Sequence, residues 1–428
     1  MINPEQGFTS GVIREADRFV GRYEDIRDCI KAINTELGLV AVYGKRGVGK
    51  SSILRQIQHM ALGDYGLSKK SGLEREIPTR PRTYLTVYYT CDSMIRSGQD
   101  LLQRLCNDQD PEDGLLRLVP NDGKEIVEFA RTKEVSLGAD LKVVNWGSKG
   151  IESSKYARII PNDIVQTFRN MVNAIVIHQV EKRMKRDGLL VLLDEFDVIK
   201  DKAGLGSLIK SLSSEKVKFG VCGIGRDLTD LVNDHASIER LLEEGAIHVK
   251  PMAEMELERI ITRAEELFKG ALSFSSTVKA RIAKLSQGYP YLVQLFGKEC
   301  VAVANKTSVN EIDDHVFDMV IEDIQSGRAF PTLEAMYQKA IGGSTDRQKL
   351  LWLLAEHKEE APLYQDESGR IQLKKVRTDA DVFDIPYVDQ LLPRLIDANY
   401  GPILYREKQG VYEFLNPVFR VYVTLRNI

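Results

Sequence analysis

The sequence predicts an α/β chain in which a parallel β-sheet core is followed by an α-helical domain and a winged-helix domain. Three observations lead to this prediction. Strand-like apolar runs alternate with helical patterns up to about residue 250, which is typical of parallel sheets. From Ala253 the pattern is helical only. After Gly342-Gly343 it changes again, to helices followed by a hairpin.

Five apolar runs are predicted to be the strands of the core. They are 37–43, 82–90, 189–193, 217–225 and 246–251. The third is the most informative, because five consecutive aliphatic residues after Asp187-Gly188 indicate a strand buried on both faces. Residues 50–62 are predicted to form a helix after the first strand. An insertion at about 108–161 separates the second strand from the third, and its parts 134–144 and 147–153 suggest a short hairpin.

The rest of the chain is predicted to form two smaller domains. Amphipathic helices are expected at 254–269, 275–285, 289–304 and 311–324. Further helices are expected at 346–357 and 387–399, and a hairpin with a polar turn at 403–406 and 411–415. We therefore predict a core at 1–252, a helical domain at 253–343 and a winged-helix domain at 344–428.

Composition excludes several classes of protein. A net charge of −3 argues against a generally basic nucleic-acid coat or a membrane-surface binder. The five cysteines are scattered and form no C-x-x-C pair, which indicates reduced thiols and not a disulfide or zinc framework. No apolar run approaches the roughly 20 residues of a spanning helix, and no signal peptide pattern is visible. We expect a soluble, cytoplasmic protein without a membrane partner.

The segment 44–51 matches the phosphate-binding pattern G-x-x-x-x-G-K-[ST] at every position, directly after a predicted strand and at the start of a predicted helix. Glycines let the backbone curl so that successive N–H groups point at phosphate oxygens, and the helix N-terminus adds positive potential. We expect Lys50 to reach the β- and γ-phosphates and the Ser51 hydroxyl to bind Mg²⁺. The candidate nucleotide-binding residues here are Gly44, Lys45, Arg46, Gly47, Val48, Gly49, Lys50, Ser51 and Ser52.

A second candidate part of the site is the acidic pair Asp194-Glu195, which directly follows the aliphatic strand. Asp194 is expected to hold Mg²⁺ through water, and Glu195 to orient or deprotonate the attacking water. An acidic pair at a strand end is also common as a solvated chain segment. Its position after the P-loop (44–51), with one strand between them in the sequence, favours the catalytic interpretation. Asp197, two residues further along, is a candidate for assisting this pair, but we favour a helix-capping role for it.

These residues resemble the AAA+/STAND group of P-loop ATPases, which includes archaeal ATPases related to origin-recognition proteins. Phe19-Val20-Gly21-Arg22 resembles the box that lies against the adenine in this group. Gly288-Tyr289-Pro290 resembles the motif of the helical lid whose proline contacts the base. The strand that ends at Arg226 is similar to the one that carries a γ-phosphate sensor. The resemblance covers 19–426 and implies ATP or ADP with Mg²⁺ as ligands, bound also by Val20, Gly21, Arg22, Pro290 and Arg226.

The sequence departs from this group in two respects. No clear arginine finger is present, because Arg240 is equally explained by a helix-surface ion pair with Glu243 or Glu244. STAND proteins also usually carry a fused effector or repeat array, whereas here only a short segment precedes the core and none follows the winged helix. Any effector is therefore expected to be a separate polypeptide, or there is none.

Two functional classes remain open. The one we favour is a slow ATPase that acts as a nucleotide-controlled switch, with self-association and a separate effector or regulatory protein as partners. The alternative is a DNA-binding AAA+ ATPase, like a replication initiator or a transposition regulator, whose winged helix reads duplex DNA. Residues 345–428 carry 12 Lys and Arg against 13 Asp and Glu, whereas a DNA-binding module normally has a basic face.

Two narrower alternatives are disfavoured. The guanine-binding pattern N-K-x-D does not occur, so we expect ATP and not GTP. A metabolic kinase would need a second substrate pocket, and no part of the sequence indicates one.

Overall fold

A computed structural model of the chain describes residues 1–36, 38–110, 112–119, 164–225, 242, 245–358, 361–362 and 369–426. They divide into two compact units. The sheet unit comprises Tyr23–Gly44 and Ile53–His248, and the lid unit comprises Met1–Arg22, Lys45–Ser52 and Val249–Ile428. The division into domains 1–252, 253–343 and 344–428 remains a prediction.

A five-stranded parallel β-sheet forms the centre of the sheet unit. Its strands are β1 (Leu39–Gly44), β2 (Tyr84–Thr90), β3 (Gly188–Asp194), β4 (Val217–Ile224) and β5 (Ala246–His248). They are hydrogen-bonded in the order β2-β3-β4-β1-β5, and every neighbouring pair is parallel. The predicted α/β fold and its five strands are confirmed, and β4 lies between the P-loop strand and the strand that ends in Asp194.

Burial explains why these segments form strands. Every residue of β3 is buried, and β1, β2 and β4 are buried along most of their length, as expected for parallel strands covered on both faces. Parallel neighbours require crossover connections, which are usually helices. The helices described along the chain of this unit are α1 (Tyr23–Asn34), α2 (Lys50–Ala61), α3 (Gly66–Lys70), α4 (Gly98–Asn107), α5 (Ile164–Ile175) and α6 (Leu205–Leu212). A π-helix at Val176–Met184 continues α5.

The lid unit begins with a set of helices that the sequence largely predicts. They are α7 (Glu254–Phe268), α8 (Ser276–Leu285), α9 (Pro290–Thr307), α10 (Asp314–Gln325) and α11 (Pro331–Ile341). Two short strands, β6 (Ser273–Phe274) and β7 (Glu311–Ile312), pair in parallel between them. The helix expected from residue 311 therefore starts later, because the Asp313 side chain caps it by accepting from the Val316 N–H at 2.9 Å. Within the described part of the chain, no helix combines the length and apolarity that crossing a membrane would need.

The N-terminal arm, Met1–Arg22, packs along these helices. Phe8 is completely buried, and its ring centroid lies 5.9 Å from that of Phe268 and 5.8 Å from that of Phe274. A Cβ atom at Gly297 would come within 2.3 Å of the Phe8 ring, so the absence of a side chain on α9 makes room for it. At the start of the arm, the Ile2 N–H donates to Asn305 Oδ1 at 2.7 Å, and Asn305 Nδ2 donates back to the Ile2 carbonyl at 2.8 Å. The arm is therefore an integral part of the lid unit.

The C-terminal module, residues 345–426, combines α-helices with short antiparallel strands. Its helices are α12 (Thr345–Ala355), α13 (Leu373–Val382), α14 (Val388–Leu391) and α15 (Pro417–Leu425). Its strands are β8 (His357–Lys358), β9 (Ala361–Pro362), β10 (Arg370–Gln372), β11 (Leu404–Lys408) and β12 (Val411–Phe414). β10, β12 and β11 form an antiparallel sheet in that order, and the predicted hairpin corresponds to β11 and β12.

The prediction of one helix over 387–399 is wrong. The α-helix there is the single turn α14, followed by 3-10 turns at Leu392–Leu395 and Ala398–Tyr400. Pro393 explains the interruption, because proline has no N–H and its ring clashes with the preceding helical turn.

Candidate nucleotide-binding site

The loop between β1 and α2 has the backbone of a phosphate-binding loop. β1 ends at Gly44 and α2 begins at Lys50, as the motif predicts. Gly47 and Gly49 have φ angles of +82° and +96°, a region that residues with a side chain rarely adopt. The loop thus curls where glycine allows it and ends at a helix N-terminus, whose N–H groups and positive potential favour an anion.

Lys45 and Lys50 of the loop both have polar partners, one in the C-terminal module and one in the loop itself. The Lys50 ammonium donates to the Lys45 carbonyl at 2.9 Å. The Lys45 ammonium lies 3.7 Å from Oε1 of Glu413, on β12, with side-chain exposures of 33% and 14%. The Glu413 carboxylate therefore interacts electrostatically with Lys45, as a nucleotide phosphate would.

Side chains from α9 and α15 cover the glycines of the loop. A Cβ atom at Gly47 would lie 2.5 Å from Val418 Cγ2 and 3.8 Å from the Tyr289 ring. A Cβ atom at Gly49 would lie 4.0 Å from Cγ of Pro290, the first residue of α9. Both the predicted lid motif and the C-terminal module therefore contact the P-loop.

The turn before α9 is tied to the C-terminal module. Gly288 has a φ of +84°, and its carbonyl accepts from the Met252 N–H at 2.9 Å. Arg420 of α15 donates to the Gln287 side-chain oxygen and, at 3.5 Å, to the Ala355 carbonyl. Burial lowers the pKa of Arg420, an effect that the neighbouring Tyr289 partly offsets. Arg420 is thus a buried arginine that donates to neutral oxygens, and it links the lid motif to α15.

Arg22, predicted to lie against the adenine, binds the main chain of the P-loop. Its guanidinium donates to the Val48 carbonyl and, at 2.5 Å, to the Lys250 carbonyl. Its own N–H donates to Glu256 Oε1 at 2.8 Å, and the residue is 8% exposed. In this arrangement Arg22 fixes the loop backbone, and base contacts of Val20, Gly21 and Arg22 remain predictions.

The N-terminal arm also reaches the first turn of α2. The Ile13 N–H donates to Ser52 Oγ at 3.0 Å. Ser52, a predicted nucleotide contact, is therefore engaged by the main chain of the arm, while Arg22 holds the loop at Val48. The arm thus contacts the segment Lys45–Ser52 of its own unit at both Val48 and Ser52.

In the sheet unit, Asp194 ends β3 and is 4% exposed. Its Oδ2 atom accepts from the Tyr88 hydroxyl at 2.6 Å, and its Oδ1 atom accepts from the Glu195 N–H at 2.9 Å. Burial, together with the Asp194 charge, raises the pKa of Tyr88 far above its ordinary value, so the hydroxyl is a donor. The carboxylate is therefore held in one orientation by donors on both oxygens.

Glu195 follows with an unusual backbone conformation. Its φ angle is +53° and the residue is exposed. Strained residues of this kind cluster at functional sites, which agrees with the catalytic role predicted for Glu195. Asp197 accepts from the Ile224 N–H at 2.7 Å. The expectation that Asp197 caps a helix is therefore wrong, because it ties the turn after β3 to the end of β4.

Two predicted arginines fall outside the described residues. They are Arg226, the expected γ-phosphate sensor, and Arg240. Of the insertion 108–161, the structure describes 108–110 and 112–119, so the hairpin expected at 134–144 and 147–153 also lies outside. These roles and this hairpin remain predictions.

A comparison with protein families decides the family of the chain. The model of a family described as novel STAND NTPase 1 matches residues 6–288, which is more than half of the 428 residues. The chain belongs to this family. The match includes the P-loop, Asp194-Glu195 and most of the N-terminal arm, and it confirms the resemblance to the AAA+/STAND group.

Several solved structures are similar to this novel STAND NTPase. The Walker-type ATPase of Pyrococcus abyssi is 13% identical with a TM-score of 0.48, and the match covers 96% of this chain and 98% of that one. Cdc6p from Pyrobaculum aerophilum is 13% identical with a TM-score of 0.42, covering 99% and 98%. The ORC2 protein of Aeropyrum pernix, solved as ADPNP and ADP complexes, is 13% identical with a TM-score of 0.42, covering 95% and 92%. No curated protein matches the chain in sequence.

Sequence reasoning missed three residues of the STAND NTPase: Glu413 and Val418, which contact the P-loop, and Tyr88, which binds Asp194. Glu413 and Val418 stand in the C-terminal module, where no local pattern links them to the P-loop. Tyr88 offered one clue, since a tyrosine in the middle of a buried strand must find a partner for its hydroxyl.

Proposed function

We propose that this STAND NTPase is an ATP-binding and ATP-hydrolysing switch, in which the nucleotide phosphates and the C-terminal module engage the same P-loop. One observation carries the proposal. Lys45–Ser52 belongs to the same compact unit as the lid helices and the C-terminal module, with Glu413 at 3.7 Å from Lys45 and Val418 against Gly47.

The chemistry follows from the residue types. Lys50 would carry the charge that faces the β- and γ-phosphates, and the N–H groups of 44–51 would cradle them. The Ser51 hydroxyl and the Asp194 carboxylate are hard oxygen ligands that suit Mg²⁺, which usually takes one or two protein oxygens together with nucleotide phosphates. When bound, Mg²⁺ would neutralise the charge that develops on the phosphates. Glu195 would orient or deprotonate the attacking water.

The switch needs an interaction that differs between nucleotide states. Lys45 can pair with Glu413 or with a phosphate, and the two anions repel each other across the loop. A triphosphate competes with Glu413 for Lys45 more strongly than a diphosphate does, because it brings more negative charge to the P-loop. ATP is therefore expected to loosen the contact of β12 and α15 with the P-loop, and ADP to permit it. The surfaces of β12 and α15 that this exposes would then be available for self-association and for binding of a separate effector.

The DNA-binding alternative has less support. A recognition helix normally lies in the major groove and presents several side chains to the bases. Here the helix in that position is the four-residue α14, followed by a 3-10 turn that contains Pro393. Arg377 of α13 is paired with Asp389 at 2.5 Å. We therefore propose nucleotide control and not DNA recognition as the role of the C-terminal module.

Two variants test the proposed function. Lys50→Ala should abolish tight ATP binding in calorimetry, because it removes the charge that faces the phosphates, whereas Lys69→Ala, an exposed lysine of α3, should bind ATP normally. Glu195→Gln should retain Mg²⁺-ATP but lose hydrolysis by about 100-fold or more. Unchanged ATP affinity in Lys50→Ala would remove the assigned site, and normal turnover in Glu195→Gln would remove Glu195 as the catalytic base.

A further inference from the structure

Asp194 is oriented by a tyrosine that no motif contains. Tyr88 lies in the middle of β2, is 1% exposed, and donates its hydroxyl to Asp194 Oδ2 at 2.6 Å. Donation from a hydroxyl to a carboxylate oxygen in a buried environment is among the stronger protein hydrogen bonds. Since the Glu195 N–H occupies Oδ1 at 2.9 Å, rotation of the carboxylate would break both bonds.

Tyr88 is itself held by α2, the helix that follows the P-loop. The guanidinium carbon of Arg55 lies 3.4 Å from the centroid of the Tyr88 ring, a close cation–π contact. Arg55 Nη1 donates to Gln58 Oε1 at 2.8 Å, and Gln58 Nε2 donates to Thr86 Oγ1 at 3.3 Å. Two side chains of α2 are thus fixed to two side chains of β2, one of which orients Asp194.

We propose that Tyr88, braced by Arg55, is a positioning residue for the Mg²⁺ site, because it fixes the Asp194 carboxylate in the orientation that Mg²⁺ and its water shell require. This inference rests on the role proposed above for Asp194. A residue that orients a metal ligand typically changes metal affinity or activity by about 10- to 100-fold when its contact is removed. A hydroxyl that only satisfied a buried carboxylate would instead affect folding and leave the Mg²⁺ dependence unchanged.

Tyr88→Phe removes the hydroxyl and keeps the ring under Arg55. In the full-length chain, the Mg²⁺ concentration that half-maximally promotes binding of a fluorescent ATP analogue should rise by about 10-fold or more. Binding of the same analogue in EDTA should stay within about 2-fold of wild type, because Tyr88 is not proposed to touch the nucleotide.

Tyr84→Phe is a matched control on the same strand. Tyr84 is also 1% exposed, but its hydroxyl donates to the Ile33 carbonyl at 3.2 Å. This variant should lose a buried tyrosine hydrogen bond to a neutral carbonyl and show the Mg²⁺ dependence of wild type. Thermal unfolding of both variants checks that each is folded, and Arg55→Met, which leaves Tyr88 intact, should shift the Mg²⁺ requirement in the same direction by a smaller factor.

Asp194→Asn distinguishes the proposed role of Asp194 in Mg²⁺ binding from the positioning role of Tyr88. If Asp194→Asn raises the Mg²⁺ requirement and Tyr88→Phe does not, the positioning role of Tyr88 is refuted while the proposed function stands. If Asp194→Asn leaves the Mg²⁺ dependence unchanged, the role of Asp194 fails, and the inference about Tyr88 fails with it. An equal shift in Tyr84→Phe and Tyr88→Phe would also refute the inference, because the effect would then be one of general strand packing.

Discussion

Removal of the Glu413 charge should strengthen ATP binding. The Lys45–Glu413 pair is separated by 3.7 Å, and at about that distance two unit charges attract by about 1 kcal/mol in water and about 4 kcal/mol at the effective dielectric constant of a protein surface. Because the Lys45 side chain is 33% exposed, solvent and salt bring the pair to the lower value, about 1 kcal/mol. Glu413→Gln frees Lys45 for the phosphates and removes a repulsion, so ATP affinity should rise by about 3- to 5-fold, and ADP affinity by less.

The assay is calorimetric titration of ATP and ADP into the full-length chain at low and at physiological salt. Glu407→Gln is the matched control, because Glu407 lies on the neighbouring strand β11 and pairs with Arg370 at 2.7 Å. The gain in Glu413→Gln should shrink as salt rises, since screening already weakens the pair in wild type. Equal or weaker ATP binding in Glu413→Gln, or the same gain in Glu407→Gln, would refute the competition between Glu413 and the phosphates.

Two further predictions concern the arm and the C-terminal module. Phe8→Ala should lower the free energy of unfolding by about 3–5 kcal/mol in urea titrations, because Phe8 is fully buried between α7 and α9. Val12→Ala, at a residue 45% exposed, should change the free energy of unfolding little. A decrease of less than about 1 kcal/mol in Phe8→Ala would mean that the arm is not packed on α7 and α9. The full-length chain should bind random duplex DNA only in the non-specific range of about 10⁻⁴ to 10⁻⁶ M at physiological salt, whereas sub-micromolar, sequence-selective binding would favour the initiator-like alternative.

The sequence predicts the parts of the fold whose signals are local. The P-loop carries a contiguous motif between a strand and a helix, and β3 is a run of aliphatic residues, so both are recognised without knowledge of the rest of the chain. The helix expected over 387–399 fails for a local reason that was visible, because Pro393 interrupts it.

The contacts that give the candidate site its character are not local. Glu413 reaches Lys45, and Tyr88 reaches Asp194, across long stretches of chain. No sequence pattern identifies Lys45 as the partner of Glu413 or Asp194 as the partner of Tyr88, and only the pairing of elements in three dimensions brings each to its partner. Arg22 illustrates the same limit, since a glycine–arginine box marks its position but not the Val48 carbonyl that its guanidinium binds.

The central claim is that nucleotide phosphates and the C-terminal module engage the same P-loop. Hydrogen–deuterium exchange of β12 and α15 tests it most directly, in the full-length chain with Mg²⁺ and ADP, with Mg²⁺ and a non-hydrolysable ATP analogue, and without nucleotide. We predict faster exchange across Val411–Phe414 and Pro417–Leu425 with the ATP analogue than with ADP, and no difference between the nucleotides in Lys50→Ala. Identical exchange of both elements in all three states of the wild-type chain would contradict the account.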